Sequence, residues 1–131
     1  NMVGTLITTD YLSFSARTTI EEVLAELRSK KPEDPELYTL FVTEKNDELI
    51  GTFTLRDLVV ADPQLTVEKI MKSEPVSLFD DQDIDDIAEI VSKYNMLAVP
   101  VVDKDYLLQG MVVLDDVVED LISERRTRKR K

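Results

Sequence analysis

Residues 51–57 read Gly51-Thr52-Phe53-Thr54-Leu55-Arg56-Asp57, and residues 110–116 read Gly110-Met111-Val112-Val113-Leu114-Asp115-Asp116. When Gly51 is aligned with Gly110, the leucine and the final aspartate of the two stretches coincide as well. Self-similarity at a fixed distance indicates a structural unit that the chain uses more than once. The sequence therefore predicts two copies of one unit.

The match continues upstream of these stretches at a different constant shift. Ser13, Ile20 and Glu22 match Ser77, Ile84 and Asp86 in this upstream alignment. The two shifts differ by five residues, which indicates a five-residue insertion in the first half, placed at 31–35 (KPEDP). The prolines of this segment predict that it is a loop. We expect repeat 1 at 1–66, repeat 2 at 67–124 and a basic tail at 125–131.

Both repeats show the same order of predicted elements, β-α-β-β-α. An extended stretch (11–14; 75–78) leads to a helix with a side-chain acceptor at Thr19 or Asp83 and a carboxylate three residues later, which is a capping-box pattern. Two β-rich runs follow (38–43 and 49–54; 98–102 and 107–113), and then a second helix (57–60; 115–122). The spacing predicts that the first helices bury Ile20, Val23, Leu24 and Leu27, and Ile84, Ile87, Ala88 and Val91.

A unit of about 60 residues is too small to bury both its sheet and its helices well. We therefore predict an α/β (α+β) fold in which two pseudo-symmetric repeats pack sheet to sheet about a pseudo-twofold axis. The functional site is expected in the cleft between them.

Composition excludes several kinds of chemistry. The 131 residues include no histidine and no cysteine, so the chain has no Ser-His-Asp or Cys-His catalytic group and no Cys/His zinc site. No Gly-x-x-x-x-Gly-Lys loop is present either. We predict that the protein is not an enzyme.

Charge is distributed unevenly along the chain. Six of the 16 basic residues lie in 125–131, which leaves 10 basic against 27 acidic residues in 1–124, a net charge of −17. A body this acidic repels nucleic acid and attracts divalent cations or basic partners. No nucleic-acid partner is expected.

The repeated motif resembles that of tandem CBS domains, the regulatory Bateman module. The family's Gly-x-x-Thr/Ser-x-x-Asp pattern stands at 51–57, and 110–116 departs from it because Val113 replaces the hydroxyl. Residues 7–11 (ITTDY), 54–58 (TLRDL) and 94–103 (YNMLAVPVVD) are similar to the cytosolic CBS pair of MgtE-type magnesium transporters. A basic cluster after a CBS pair also occurs in fusions to Nramp-like metal transporters.

The first candidate site would bind a nucleotide. Thr54 and Asp57 can reach one bound group, with the carboxylate accepting ribose hydroxyls, and Arg56 would face a phosphate. The resemblance implies ATP or AMP as ligand and further contacts from Val76, Ser77, Ala98 and Pro100. The alternative is that Thr54 and Asp57 only cap a helix.

The second candidate site would bind a cation. Five carboxylates lie within seven residues, at Asp80, Asp81, Asp83, Asp85 and Asp86. They indicate either a solvated helix start or a site for a hard divalent ion. The MgtE resemblance implies Mg²⁺ held by Asp83, Asp85, Asp116 and Glu124, and Asn95 departs from that family's acidic pattern.

The resemblance also implies partners and a location. We expect a homodimer through the CBS repeats, attached to a transmembrane transport domain of the same chain on the cytoplasmic side of the plasma membrane. Ligand binding would gate transport, and the basic tail would lie near anionic lipid or be disordered. Two alternatives stay open, a stand-alone adenine-nucleotide sensor for a soluble partner and a module fused to an Nramp-like transporter.

Overall fold

Two successive sets of strands and helices form the fold. The structure is a computed structural model that describes residues 3–129, with the backbone alone at positions 84, 121 and 124–129. The first set comprises β1 (Ser13–Ser15), α1 (Ile20–Lys30), β2 (Leu40–Thr43), β3 (Leu49–Phe53) and α2 (Leu55–Val60). The segment that joins the two sets, here called the linker, opens the second predicted repeat and contains α3 (Val67–Ile70) and β4 (Lys72–Ser73). The second set comprises β5 (Leu78–Phe79), α4 (Ile84–Tyr94), β6 (Ala98–Val102), β7 (Leu108–Val113) and α5 (Leu114–Lys129).

The two long helices that open the repeats begin and end in the same way. Thr19 and Glu22 form a capping box at the start of α1, and Asp83 and Asp86 form one at the start of α4, as the sequence predicts. Both helices end on a residue in the left-handed region, and these two residues, Lys31 (φ 49°) and Asn95 (φ 54°), occupy equivalent positions in the upstream alignment. The insertion at 31–35 begins at the first of these ends and continues into a 3-10 turn at Asp34–Leu37.

Each repeat builds its own sheet. The first sheet has the order β1-β2-β3-β4, with β1 parallel to β2 and the other pairs antiparallel. The second sheet has the order β5-β6-β7, again with one parallel and one antiparallel pair. In both sheets the helix that opens the repeat connects the parallel pair, which is a β-α-β crossover.

The opening segment of each repeat, which contains Val3 in the first and Val67 in the second, packs on the other repeat. Val3 is fully buried in the core of the second repeat, and Val67, its equivalent in the upstream alignment, is fully buried in the core of the first. Equivalent hydrogen bonds hold both segments, because Val3 N donates to Gln82 O and Val67 N donates to Thr18 O, each at 2.8 Å. Each repeat therefore depends on a segment that lies outside it in the sequence.

Equivalent residues of the two repeats meet where the sheets face each other. Thr39 Oγ1 donates a buried hydrogen bond to Ala98 O at 3.0 Å, and Glu48 pairs with Leu107 in an antiparallel bridge. The members of each pair coincide in the alignment that carries Gly51 onto Gly110, and contact between equivalent residues occurs only at a twofold axis. The predicted pseudo-twofold arrangement of packed sheets is confirmed.

An apolar layer fills the space between the sheets. It consists of Phe41, Leu49, Ala98, Val102, Leu108, Met111 and Val113, with Tyr11, Tyr38 and Phe79 packed against it. The rings of Tyr11 and Phe41 meet edge to face with their centroids 5.8 Å apart. Burial, assisted by the negative charge of Asp47, raises the pKa of Tyr11 above its ordinary 10.0.

Three sequence-based expectations need correction. Ala88 is exposed on α4, although the spacing placed it on the buried face with Ile87. The linker elements α3 and β4 were not predicted, because four and two residues are too few to show a period. The last helix, α5, extends to Lys129 and not to residue 122. The side chain of Ile84, which was predicted to be buried, lies outside the part of the chain that the structure describes.

Candidate functional site

Two clefts lie where strands β3 and β7 end and helices α2 and α5 begin. The cleft at the start of α2, here called the first cleft, has a volume of about 300 Å³. It is lined by Tyr38, Thr39, Thr52, Phe53, Thr54, Asp57, Lys72, Val76, Tyr94, Asn95, Met96 and Leu97. Since these residues come from both repeats and from the linker, a ligand in this cleft would contact all three.

Thr54 and Asp57 form a reciprocal cap at the mouth of the first cleft. The Thr54 amide donates to Asp57 Oδ2 at 2.9 Å, and the Asp57 amide donates to Thr54 Oγ1 at 3.2 Å. The capping interpretation is therefore confirmed. It leaves Asp57 Oδ1 without a hydrogen-bond partner among the described residues, so the same carboxylate can accept from a ligand hydroxyl.

The other residues predicted for a nucleotide lie in several places. Val76 lines the first cleft together with Thr54 and Asp57. Ser77 lies in a neighbouring groove of about 910 Å³, which shares Val76 and Tyr94 with the first cleft. Ala98 and Pro100 are buried in β6, and Arg56 is exposed on α2 and is not among the residues that line the cleft, although it directly precedes Asp57.

Sequence reasoning missed the aromatic and cationic members of the first cleft. Tyr38 and Tyr94 line it from the two repeats, and Lys72 lines it from β4. Lys93, which lines the neighbouring groove and not the first cleft, places its Nζ 5.3 Å from the centroid of the Tyr94 ring, a cation-π contact. The sequence held one usable signal for Lys72. The upstream alignment pairs Lys72 with Thr8, which lies in 7–11, one of the stretches that carry the family resemblance.

The second cleft lies at the start of α5 and has a volume of about 260 Å³. Val113 stands there in the position equivalent to Thr54, and Asp116 stands in the position equivalent to Asp57. Five carboxylate side chains line it, those of Asp10, Glu33, Glu36, Asp115 and Asp116, and none of its described lining residues is basic. Such a cleft repels an anionic ligand and attracts cations.

The described residues that were predicted for a metal lie at two places in the fold. Asp83 caps α4, accepting from the Asp85 amide at 3.2 Å, whereas Asp116 lies in the second cleft. The Glu124 side chain lies outside the part of the chain that the structure describes. Among the described residues, no three carboxylates are placed to hold one ion. The metal set stays a prediction.

Comparison with known proteins adds the family. The family described as "CBS domain" matches the chain twice, over residues 3–63 and 67–123. This protein belongs to the CBS-domain family. The tandem CBS fold predicted from the repeat is confirmed.

The CBS pair is similar to magnesium transporters. It is 36% identical to the magnesium transporter MgtE of Thermus thermophilus over 121 residues, which are 92% of this chain and 27% of the relative. It matches a crystal structure of the cytosolic domain of the Mg²⁺ channel MgtE in complex with ATP at 35% identity and a TM-score of 0.86, covering 91% of this chain and 48% of that one. The predicted resemblance to MgtE is confirmed, and the CBS pair spans about a quarter of the length of the transporter.

A more distant structure matches the fold alone. The CBS pair aligns with CBSX2 in complex with AMP at 22% identity and a TM-score of 0.79, covering 95% of this chain and 98% of that one. Over residues 3–129, no helix combines the length and the apolar character that a membrane span requires.

Proposed function

We propose that this CBS pair is the ligand-sensing regulatory module of an MgtE-type transporter of magnesium or a related divalent cation. It would be non-catalytic, lie on the cytoplasmic side of the plasma membrane and be joined to the transmembrane transport domain of the same chain. The observation that carries the proposal is the first cleft, in which Thr54 and Asp57 of one repeat face residues of the other. The similarity to MgtE supports this function over a stand-alone sensor or an Nramp-like fusion.

The first cleft would bind an adenine nucleotide such as ATP or AMP. Asp57 Oδ1 would accept a ribose hydroxyl, because Oδ2 is already engaged by the Thr54 amide. Tyr38 and Tyr94 supply aromatic surface for the base, and Val76 supplies apolar contact. The related MgtE cytosolic domain was crystallised in complex with ATP, which supports a nucleotide in this module.

Magnesium would act between surfaces and not inside one chain. Mg²⁺ keeps most of its waters and takes one or two protein carboxylates, so Asp83 and Asp85 at the start of α4 and Asp116 in the second cleft would each bind weakly. Ions shared between acidic surfaces reduce their repulsion and favour the compact state by RT ln(1 + [L]/Kd) for each site. Loss of Mg²⁺ would let the surfaces separate and release the transport domain.

A homodimer would use the exposed apolar side chains of α2 and α5. Val59 is 78% exposed, and Val118, which stands at the equivalent position of the second repeat, is 45% exposed. Val60 and Ile122 extend these two patches. The pseudo-twofold axis relates α2 to α5. A second copy related by a twofold rotation could therefore cover both patches with its own α2 and α5.

The nucleotide site can be tested with a matched pair of variants. We expect Asp57→Asn to keep the helix cap, since the amide oxygen still accepts, and to weaken ATP and AMP binding about tenfold through loss of a charged acceptor. Asp116→Asn changes the equivalent residue of the second cleft and should leave nucleotide affinity unchanged. Isothermal titration calorimetry on the 131-residue chain measures both. Equal affinities for the two variants would contradict the assignment of the nucleotide to the first cleft.

The metal effect can be tested in solution. Sedimentation and small-angle scattering should show a more compact or more dimeric protein in millimolar Mg²⁺ than in chelator. Replacing both Asp83 and Asp85 by Asn should weaken this response, whereas the charge-matched pair Glu44→Gln and Glu68→Gln, at exposed positions with no side-chain partner among the described residues, should not. Identical profiles with and without Mg²⁺ in the unaltered protein would exclude the metal role.

A further inference from the structure

The two clefts of the CBS pair carry opposite electrostatic environments. Among the described residues that line the first cleft, Lys72 bears the one positive charge and Asp57 the one negative charge. The second cleft carries five carboxylates and no described basic residue. We infer that Lys72, in the linker between the repeats, is the residue that selects a phosphate-bearing ligand for the first cleft. This inference rests on the proposed function of that cleft.

Strand register places Lys72 beside the cap at the mouth of the cleft. Lys72 in β4 is the antiparallel partner of Thr52 in β3, and directly opposed side chains lie on the same face of a sheet about 4.5–5.5 Å apart at Cβ. Thr52 and Thr54 are two residues apart, and both line the first cleft with Lys72. Lys72 therefore borders the cleft near the end of β3, where Thr54 leads into α2.

The Lys72 ammonium is available to a ligand. It is exposed and makes neither an ion pair nor a hydrogen bond with any side chain or backbone group in the part of the chain that the structure describes. Arg56, which the sequence suggested for a phosphate, is also exposed, but it is not among the residues that line the cleft. The geometry favours Lys72 over Arg56 for this contact.

The second cleft shows what the same position does without a cation. The bridge between Thr8 and Met111 is equivalent to the pairing of Lys72 with Thr52, so Thr8 occupies the position of the lysine. The carboxylates around it repel a polyphosphate, and the uncharged Thr8 supplies no positive charge to offset them. The CBS pair therefore binds one nucleoside phosphate per chain and not two.

The contact would also connect the ligand to the linker. Lys72 follows Met71 and Ile70, which pack against the core of the first repeat, and it precedes the strand that opens the second repeat. A phosphate held by Lys72 and a ribose held by Asp57 would fix the linker against the start of α2. Uncharged adenosine would contact the Asp57 side of the cleft only.

Calorimetry with ATP and adenosine on three variants tests the inference. Lys72→Gln should weaken ATP binding about fivefold, the effect of losing one exposed charge contact, and leave adenosine affinity within about twofold. Arg56→Gln tests the rival cation, and Lys69→Gln, an exposed lysine of α3 that does not line the cleft, is the matched control. Both should bind ATP as the unaltered protein does, with one ATP per chain.

The outcomes separate this inference from the proposed function. If the unaltered protein binds neither ATP nor adenosine, the nucleotide function fails and the role of Lys72 fails with it. If ATP binds and Asp57→Asn weakens it but Lys72→Gln does not, the nucleotide function stands and the assignment to Lys72 is wrong. A loss in Arg56→Gln alone would transfer the role to Arg56, and two ATP molecules per chain would overturn the division between the clefts.

Discussion

Asp57 caps α2, and the geometry of the cap leaves it able to take the ligand-binding role that sequence reasoning treats as an alternative. One carboxylate oxygen accepts from the Thr54 amide and completes the cap of α2, and the other oxygen has no partner among the described residues. A helix cap holds a side chain in one rotamer, so the second carboxylate oxygen is already fixed in position before a ligand arrives. Capping and ligand binding are therefore compatible at this residue.

Glu22 gives a prediction at the residue scale. The Thr19 amide and hydroxyl donate to Glu22 Oε1 at 3.0 and 2.9 Å, and the backbone hydrogen bond first, then that from the side chain, holds the pKa of Glu22 below its ordinary 4.5. A lowered folded-state pKa contributes stability that is present above the unfolded pKa and is lost as pH falls through the folded value.

We expect Glu22→Gln to remove this part of the acid sensitivity. Glutamine still accepts the capping bonds but does not titrate, so the free energy of unfolding should fall less steeply between about pH 5 and pH 3 than in the unaltered protein. Urea unfolding at several pH values measures the slope. Glu44→Gln, at an exposed position without a described side-chain partner, is the control, and an equal change in slope there would contradict the role of the cap.

At the element scale, strands β3 and β7 depend on glycine, because another segment of the chain packs closely against each of them. A Cβ on Gly51 would meet the end of the Met71 side chain and would come within 3.1 Å of Lys72 O. A Cβ on Gly110 would meet Ile7 and would come within 2.5 Å of the Thr8 carbonyl oxygen. The two glycines therefore leave room at the sheet edges for the opening segments of the repeats, which contain Met71 and Lys72 in one case and Ile7 and Thr8 in the other.

We predict that alanine is less well tolerated at 110 than at 51. A flexible methionine can move away, whereas a backbone carbonyl in a bridged segment cannot do so without breaking the bridge to Met111. Gly110→Ala should lower the free energy of unfolding by about 1–3 kcal/mol, and Gly51→Ala by less. Chemical denaturation measures both. Shortening Met71 to Ala in the Gly51→Ala background should recover part of that loss, and a larger effect at 51 than at 110 would contradict the packing argument.

At the scale of the whole molecule, the opening segments hold the repeats together, because each is buried in the core of the other repeat. Val3 is buried in the second repeat, and Val67 is buried in the first. We expect Val3→Ala to cost roughly 2 kcal/mol and to act on the second repeat, since the cavity opens there. Val67→Ala should cost a similar amount and act on the first repeat.

Native-state hydrogen exchange distinguishes the two variants. Amides of β5 to β7 and α4 should lose protection in Val3→Ala, and amides of β1 to β3 and α1 in Val67→Ala. If Val3→Ala lost protection in the first repeat and not in the second, the packing of the Val3 segment on the second repeat would be contradicted. The pair of variants controls for the substitution itself, because both remove the same two methyl groups from a fully buried site.

Features that depend on neighbours in sequence were predictable for this CBS pair. The constant shifts between the two halves predicted the repeat, the spacing of Thr19 to Glu22 and of Asp83 to Asp86 predicted the caps, and the β-rich runs predicted strands β2, β3, β6 and β7. A cap needs only a side chain and an amide three residues away, and a strand pair joined by a short turn needs only two adjacent runs. Such signals are complete within a short window of the chain.

Features that depend on distant parts of the chain required the fold. Thr8 and Lys72 occupy equivalent positions in the repeat, but only the pairing of Lys72 with Thr52 in the folded protein shows that a cation borders the first cleft. The helical spacing places Ala88 next to Ile87 on the predicted buried face of α4. Only the packing of α4 in the fold shows that Ala88 is exposed. A side chain's surroundings are set by contacts between segments far apart in the chain, and local spacing carries no information about which of those contacts form.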